Sequence, residues 1–282
     1  MPLRTVDVRR RFDAAAESFD DFDFVHAVTR DGLFARLEPM TVGAKVVVDL
    51  GCATGAASKR LAKRFRGAKV ICVDHSPAML KKAADRKPWF TKCSYLEADA
   101  AAMPLDDHSV DVVFANQLLP WIDDVPAVFA EINRILKKDG LFIFASLGPD
   151  SFSELRQAWQ TVDQREHVHH FSDMHNIGDA AVRAGLGDPV LDVDRLKIRY
   201  EEPDALFRDL TGSGARNCLL ERSRSLTSKS RFDALSQALQ SARPGTGIEL
   251  DLELVYGHCW GSGKQAGTGE VRISLNEIGR RD

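Results

Sequence analysis

The chain has 282 residues, of which 44% are apolar and 28% charged, and its formal net charge is −3. This is the composition of a soluble globular chain with room for one large domain and an appendage, and its charge gives no reason to expect nucleic acid or a membrane as a partner. Cys52, Cys72, Cys93, Cys218 and Cys259 form no C-x-x-C pair, which argues against a disulfide framework or a structural zinc site and for a reducing compartment.

No apolar run reaches the roughly 20 residues of a membrane-spanning helix, and MPLRTVDVRRRFDAAAESF has no secretory apolar core. A cytoplasmic protein is therefore expected. In chain order, Phe12, Ala15, Ala16 and Phe19 repeat at helical spacing and predict a first helix, after which Asp20, Asp21 and Asp23 blur the pattern. Strands are predicted at 46–50, 69–73, 94–97, 110–115 and 141–147, separated by helices around Ala57–Phe65, at 77–86 and from Val125. That last helix is expected to run to Lys137 and Lys138 and to stop at Gly140. Such alternation implies an α/β doubly wound sheet with parallel strands. Beyond Gly148, helices are predicted at 151–162 and 177–184 and an extended segment at 189–200. Residues 203–242 read as helical, and 249–260 as a last strand.

The turn after the first strand reads D49-L-G-C-A-T-G55. Glycines there let a backbone turn sharply and approach a ligand beyond the strand ends. Ala53 and Ala56 stand where a G-x-G-x-x-G dinucleotide fingerprint needs glycine, and no Gly-Lys-Ser/Thr follows, so neither a dinucleotide site nor a P-loop is present. Asp74 ends the second strand, where a carboxylate can accept from both ribose hydroxyls, and Asp99 follows the third, suited to an adenine amino group. Each alone reads equally well as a surface aspartate. Three at successive strand ends favour a nucleoside.

These residues, with the segment VVFANQLLPW, resemble class I S-adenosylmethionine-dependent methyltransferases. The resemblance implies a Rossmann-like, seven-stranded, mostly parallel sheet with helices on both faces. It places Asp49, Gly51, Ala53 and Gly55 at the methionine end of the cofactor and Asp74 on the ribose. His75, Met79, Asp99 and Ala100 fall to the adenine, and Asn116 near the sulfonium. Ala53 departs from the glycine that the family more often has, and its small methyl is expected to be tolerated. The flanking pieces RRRFDAAAESFDDF, GPDSFSELR, DMHNIGDA and VYGHCW are similar to the malonyl-acyl-carrier-protein O-methyltransferases of biotin synthesis. RDLTGSGARN differs from that pattern, with Thr211 where a lysine is expected.

From this resemblance, residues 1–44 are expected to form a helical lid, with Phe12 and Phe19 over the cofactor. Residues 45–200 form the cofactor-binding core, 201–247 a helical insertion on the substrate side, 248–262 the last strand and 263–282 a flexible tail. The implied reaction moves a methyl from S-adenosylmethionine to the free carboxylate of malonyl-acyl carrier protein, leaving S-adenosylhomocysteine. No general base is expected, because a carboxylate is already ionised at pH 7. Trp121 is expected to wall the acceptor side, His175 to orient the malonyl group, and Arg156, Arg208 or Arg216 to grip its carboxylate. The cluster His167, His169, His170 and His175 lacks metal-ligand spacing, so no metal is expected. The basic run 216–231, or Lys59 to Lys69, would face an acidic carrier, and a monomer is expected. Relatives that hydroxylate an arginine, methylate a small carboxylate or only bind the cofactor remain open readings.

Overall fold

The computed structural model describes residues 2–87, 91–223, 225–241 and 247–263. The expected flexible tail beyond Gly263, and Arg224 of the basic run, lie outside the described residues. Seven strands form one sheet in the order β3-β2-β1-β4-β5-β7-β6. They are β1 Val46–Leu50, β2 Lys69–Asp74, β3 Lys92–Glu97, β4 Val110–Asn116, β5 Leu136–Leu147, β6 Gly187–Tyr200 and β7 Ile248–Trp260. β1 to β5 are parallel, and β7 runs antiparallel to both β5 and β6.

The central strands are apolar throughout because both of their faces are covered. Val48 and Leu50 face α5 (Val125–Ile135) and α7 (Met174–Arg183), whereas Val47 faces α2 (Phe24–Leu37) and α3 (Ala56–Arg64). The strand order reverses between β1 and β4. The crevice for a ligand therefore opens beyond the carboxyl ends of these two strands. A third apolar cluster joins α6 (Ser153–Gln160), α8 (Pro203–Gly212) and α9 (Lys229–Ser241) to the start of β7, through Leu155, Leu206, Leu235, Leu239 and Leu250.

Four local expectations are corrected. Helix α1 covers only Thr5–Ala15, and Phe19 sits on a separate 3-10 turn, although both pack on one cluster. Helix α2 escaped the periodicity because its buried positions, Thr29, Leu33 and Leu37, include a polar residue and follow an aspartate run. Helix α5 ends at Ile135, since Leu136 is drawn into β5 opposite Val110. Gly140 is therefore no helix stop. A Cβ there would lie 2.9 Å from the Lys137 carbonyl, and it is Asp139 that takes the left-handed conformation. Finally, the helical stretch expected from 203 is two helices, α8 and α9, and residues 213–223 and 225–228 between them are non-helical.

Candidate active site

The turn after β1 folds back on β2. Gly51 N–H and Cys52 N–H both donate to the Val73 carbonyl, at 2.8 and 3.0 Å. Gly51, Ala53 and Gly55 have φ of 73°, 46° and 81°. The loop thus keeps a glycine conformation at Ala53, which costs an L-residue roughly 1–2 kcal/mol. Asp49 is buried at the end of β1 and accepts from Ser58 Oγ of α3. Burial pushes its carboxyl up to about 7, against the opposing pull of that hydrogen bond. Asp74 receives a backbone N–H on each oxygen, from Ala53 at 2.9 Å and Ser76 at 2.8 Å. Burial raises its pKa, and these two N–H groups act the other way. A carboxylate offers about four lone-pair sites, so Asp74 keeps room for two ligand hydroxyls. Ser76 caps helix α4 (Pro77–Asp85) by accepting from Met79 N–H. Met79 is fully buried and His75 half-buried beside it. Asp99 is exposed and accepts from Ala101 N–H at 2.9 Å, and Ala100 is buried.

Residues 5–22 lie across these strand ends. Phe12, Ala15, Ala16 and Phe19 pack on Met79, Ala53 and Ala78. Asp13 accepts from Ser76 Oγ at 2.6 Å, Asp20 pairs with Arg86 and accepts from Thr54, and Lys82 pairs with Glu17. At the end of β4, three buried polar atoms have no protein partner: His26 Nδ1, Asn116 Oδ1 and Gln117 Nε2. Gln117 holds a left-handed φ of 58°. Asn116 Nδ2 donates to the His26 carbonyl at 2.9 Å and ties α2 to β4. Burial lowers the His26 imidazole to about 4, so it is neutral at pH 7. An orphaned amide donor, an amide acceptor and a neutral imidazole suit an amino-acid-like group that carries both a donor and an acceptor. The residues present thus suit an amino-acid-like end such as that of S-adenosylmethionine.

From Gln117 a cavity of about 750 Å³ extends to the insertion. Trp121 walls it, in edge-on contact with Phe12 and with His169, both at 5.0 Å between ring centres. His169 is fixed by the Cys218 N–H donating to its Nε2 at 2.9 Å. Burial lowers this imidazole to about 4 as well.

A methyltransferase domain model matches residues 48–144. Over 280 residues the chain is 39% identical to the malonyl-[acyl-carrier protein] O-methyltransferase of Halorhodospira halophila, an alignment that covers 97% of this chain and 95% of that one. The chain belongs to the malonyl-[acyl-carrier protein] O-methyltransferase family. The family's Legionella pneumophila member is 36% identical over 251 residues, covering 88% of each chain. Among solved structures, the YcgJ protein of Bacillus subtilis superposes with a TM-score of 0.60 at 16% identity, over 81% of this chain and 97% of that one. Haemonchus contortus phosphoethanolamine N-methyltransferase 2, bound to S-adenosylhomocysteine, gives 0.53 at 21% identity, over 82% of this chain and 52% of that one. At such identities these likenesses establish the class I methyltransferase fold.

Within this family member, the predicted acceptor-side residues separate. Trp121 and Arg216 line the large cavity. Arg156 lines a smaller neighbouring pocket of about 250 Å³ and donates to the His169 carbonyl at 3.2 Å. His175 is exposed on the first turn of α7, outside the cavity, because α7 buries Ile177 and Ala180 against the sheet. Arg208 points away as well. Its neighbours Phe207 and Leu210 line the cavity, while Arg208 is exposed. The histidine cluster disperses, with His167 stacked on Trp159 at 3.7 Å and bonded to Asp163. Among the described residues no three His, Cys, Asp or Glu side chains converge on a point. His26, Gln117 and His169 went unpredicted as site residues. His26 lies on the helix that the periodicity missed, and no sequence signal marks the φ of Gln117.

Proposed function

We propose that this chain transfers a methyl from S-adenosylmethionine to the free carboxylate of a malonyl group carried by an acyl carrier protein. The product is the malonyl methyl ester that starts pimeloyl-chain assembly for biotin. The observation that carries this reading is family membership along nearly the whole chain, at 39% identity. When bound, S-adenosylmethionine supplies an electrophilic methyl group on a sulfonium.

The chain's own residues bind and align. Asp74 accepts the ribose hydroxyls, and His26, Asn116 and Gln117 meet the amino-acid end. Met79, Asp99 and Ala100 border the adenine. Trp121, backed by Phe12, and the neutral His169 form a wall that strips water from the approaching carboxylate, whose hydration would otherwise hold back its lone pairs. Catalysis then rests on the alignment of oxygen, methyl and sulfur. No base is required, and the two depressed imidazoles are assigned packing and binding roles. Methylation removes the charge at the chain end.

The test mixes purified protein, S-adenosylmethionine and malonyl-acyl carrier protein and reads the intact mass of the carrier. The expected result is a gain of one methyl, absent with acetyl-carrier. No gain, with cofactor binding shown separately, would move the assignment to a protein-modifying or non-catalytic member.

A further inference from the structure

The segment GPDSFSELR carries β5 into α6 and sets a strained residue on the wall of the large cavity. Phe152, the last residue before α6, has φ 59° and ψ 28°, in the left-handed region. Among the described non-glycine residues with such a backbone, Gln117 and Phe152 line the cavity. A bulky side chain is an outlier in this region, and glycine would adopt the same turn without strain. The turn is locked onto β7. Gly148 N–H donates to the Glu253 carbonyl at 2.9 Å, Asp150 N–H to Glu253 Oε2 at 3.0 Å and Phe152 N–H to the Asp251 carbonyl at 3.1 Å. Buried Ser151 donates through Oγ to the Glu253 carbonyl at 3.2 Å and accepts from Glu253 N–H at 3.0 Å. A Cβ at Gly148 would collide with the Glu253 carboxyl, so this close seating needs glycine.

Phe152 is fixed on both sides, since its carbonyl accepts from Arg156 N–H at 3.0 Å to open α6. With its N–H and carbonyl both engaged, the left-handed φ sets the direction of Cβ, and the ring that Cβ carries lines the cavity. The ring is half-buried and tilted against Phe171, at 6.4 Å between ring centres. Phe152 and Phe171 each pack on two apolar clusters, the one that includes Leu147 and the one that joins α6, α8 and α9. Strain of this kind persists only where the surroundings over-determine it. Here they hold in place a ring that glycine would lack.

The strand before the turn locates it. Gln117 N–H donates to the Ala145 carbonyl at 2.8 Å, two residues before Leu147, which also lines the cavity. The turn therefore leads off the strand end that carries Gln117, and β5 lies on the side of β4 away from β1 and the cofactor loop. This is the acceptor side of the crevice. Resting on the function proposed above, we propose that Phe152 is a specificity-determining residue whose ring forms the wall beside the acyl group. It excludes an acceptor branched at the carbon next to the carboxylate and so confines the substrate to an unbranched malonyl chain.

The experiment measures kcat/KM for malonyl- and methylmalonyl-acyl carrier protein with wild type, F152N and F152L. Asparagine tolerates the left-handed backbone and removes the ring, and F152G offers the same test should F152N fail to fold in a thermal melt. Wild type should prefer malonyl by about tenfold, the low end of what one methylene decides in a shaped pocket. F152N should bring the ratio to within about threefold, and F152L, which keeps apolar bulk, should retain most of it. A merely structural role would lower both acceptors together. An unmoved ratio in F152N, or a wild type that does not discriminate, would overturn the proposal. If wild type methylated neither carrier, the function reading would fail on its own. Isothermal titration of malonyl- and methylmalonyl-pantetheine onto enzyme saturated with S-adenosylhomocysteine would then decide the role of Phe152, and equal or absent binding by wild type, or a preference that survives in F152N, would overturn it.

Discussion

The Asp74→Asn substitution tests the nucleoside assignment most directly. It preserves the volume of the side chain and removes its charge. In the structure both oxygens already accept a backbone N–H, from Ala53 at 2.9 Å and from Ser76 at 2.8 Å. Asparagine has a single acceptor oxygen, so its amide must turn toward one of these N–H groups, donor against donor. The ribose meanwhile loses a charged acceptor. Hydrogen bonds to charged groups contribute roughly 1.5–3 kcal/mol each. Loss of one such bond to the ribose, with partial loosening of the Ala53 turn, sums to about 2–3 kcal/mol. That corresponds to a roughly 30- to 140-fold rise in the dissociation constant of S-adenosylmethionine. Isothermal titration with S-adenosylmethionine and S-adenosylhomocysteine measures it, with a melting curve to show that the variant is folded. Unchanged affinity in a folded variant would refute the assignment of Asp74 to the ribose.

Asp49→Asn should stabilise the ligand-free protein at high pH. Burial raises this carboxyl from 3.8 to about 7, so the folded state holds its proton more tightly than the unfolded chain, and the ionised form is penalised above pH 7. The variant should melt several degrees above wild type at pH 8, with the gap narrowing as pH falls from 7 toward 4; a gap independent of pH would remove the argument. Asp7→Asn strands the Arg222 guanidinium, and because water in the cavity reaches the pair, the cost should be about 2 kcal/mol, below the 3–5 of a fully buried pair. A double-mutant cycle with Arg222→Met, read by thermal melts, should give a coupling of that sign, and additive effects would show that the pair contributes nothing. Trp121→Ala should lower kcat/KM for malonyl-carrier at least tenfold while cofactor affinity changes little, since Trp121 contacts Phe12 and His169; equal loss of both would place Trp121 in the cofactor site.

The alternation of short Val- and Phe-rich strands with amphipathic helices determined the α/β sheet, because a parallel strand buried on both faces needs a continuous apolar run. The D49-L-G-C-A-T-G55 turn and the strand-end aspartates Asp74 and Asp99 were likewise legible, since backbone sterics and a carboxylate's acceptor pattern are local properties. Helix ends were less so. Leu136 left α5 for a strand pairing with Val110 across 26 residues, a competition that no window around Gly140 contains. The acceptor side was decided by tertiary structure alone. Arg156, Arg208 and Arg216 are equivalent as residue types, and only the packing of α6 and α8 and the turn at Gly214 sets one of them in the cavity and two outside it. His26 and Gln117 became site residues for the same reason. They are far apart in the chain, and they meet because residues 5–37 fold back over the strand ends, where long-range contacts rather than local preference choose the neighbours.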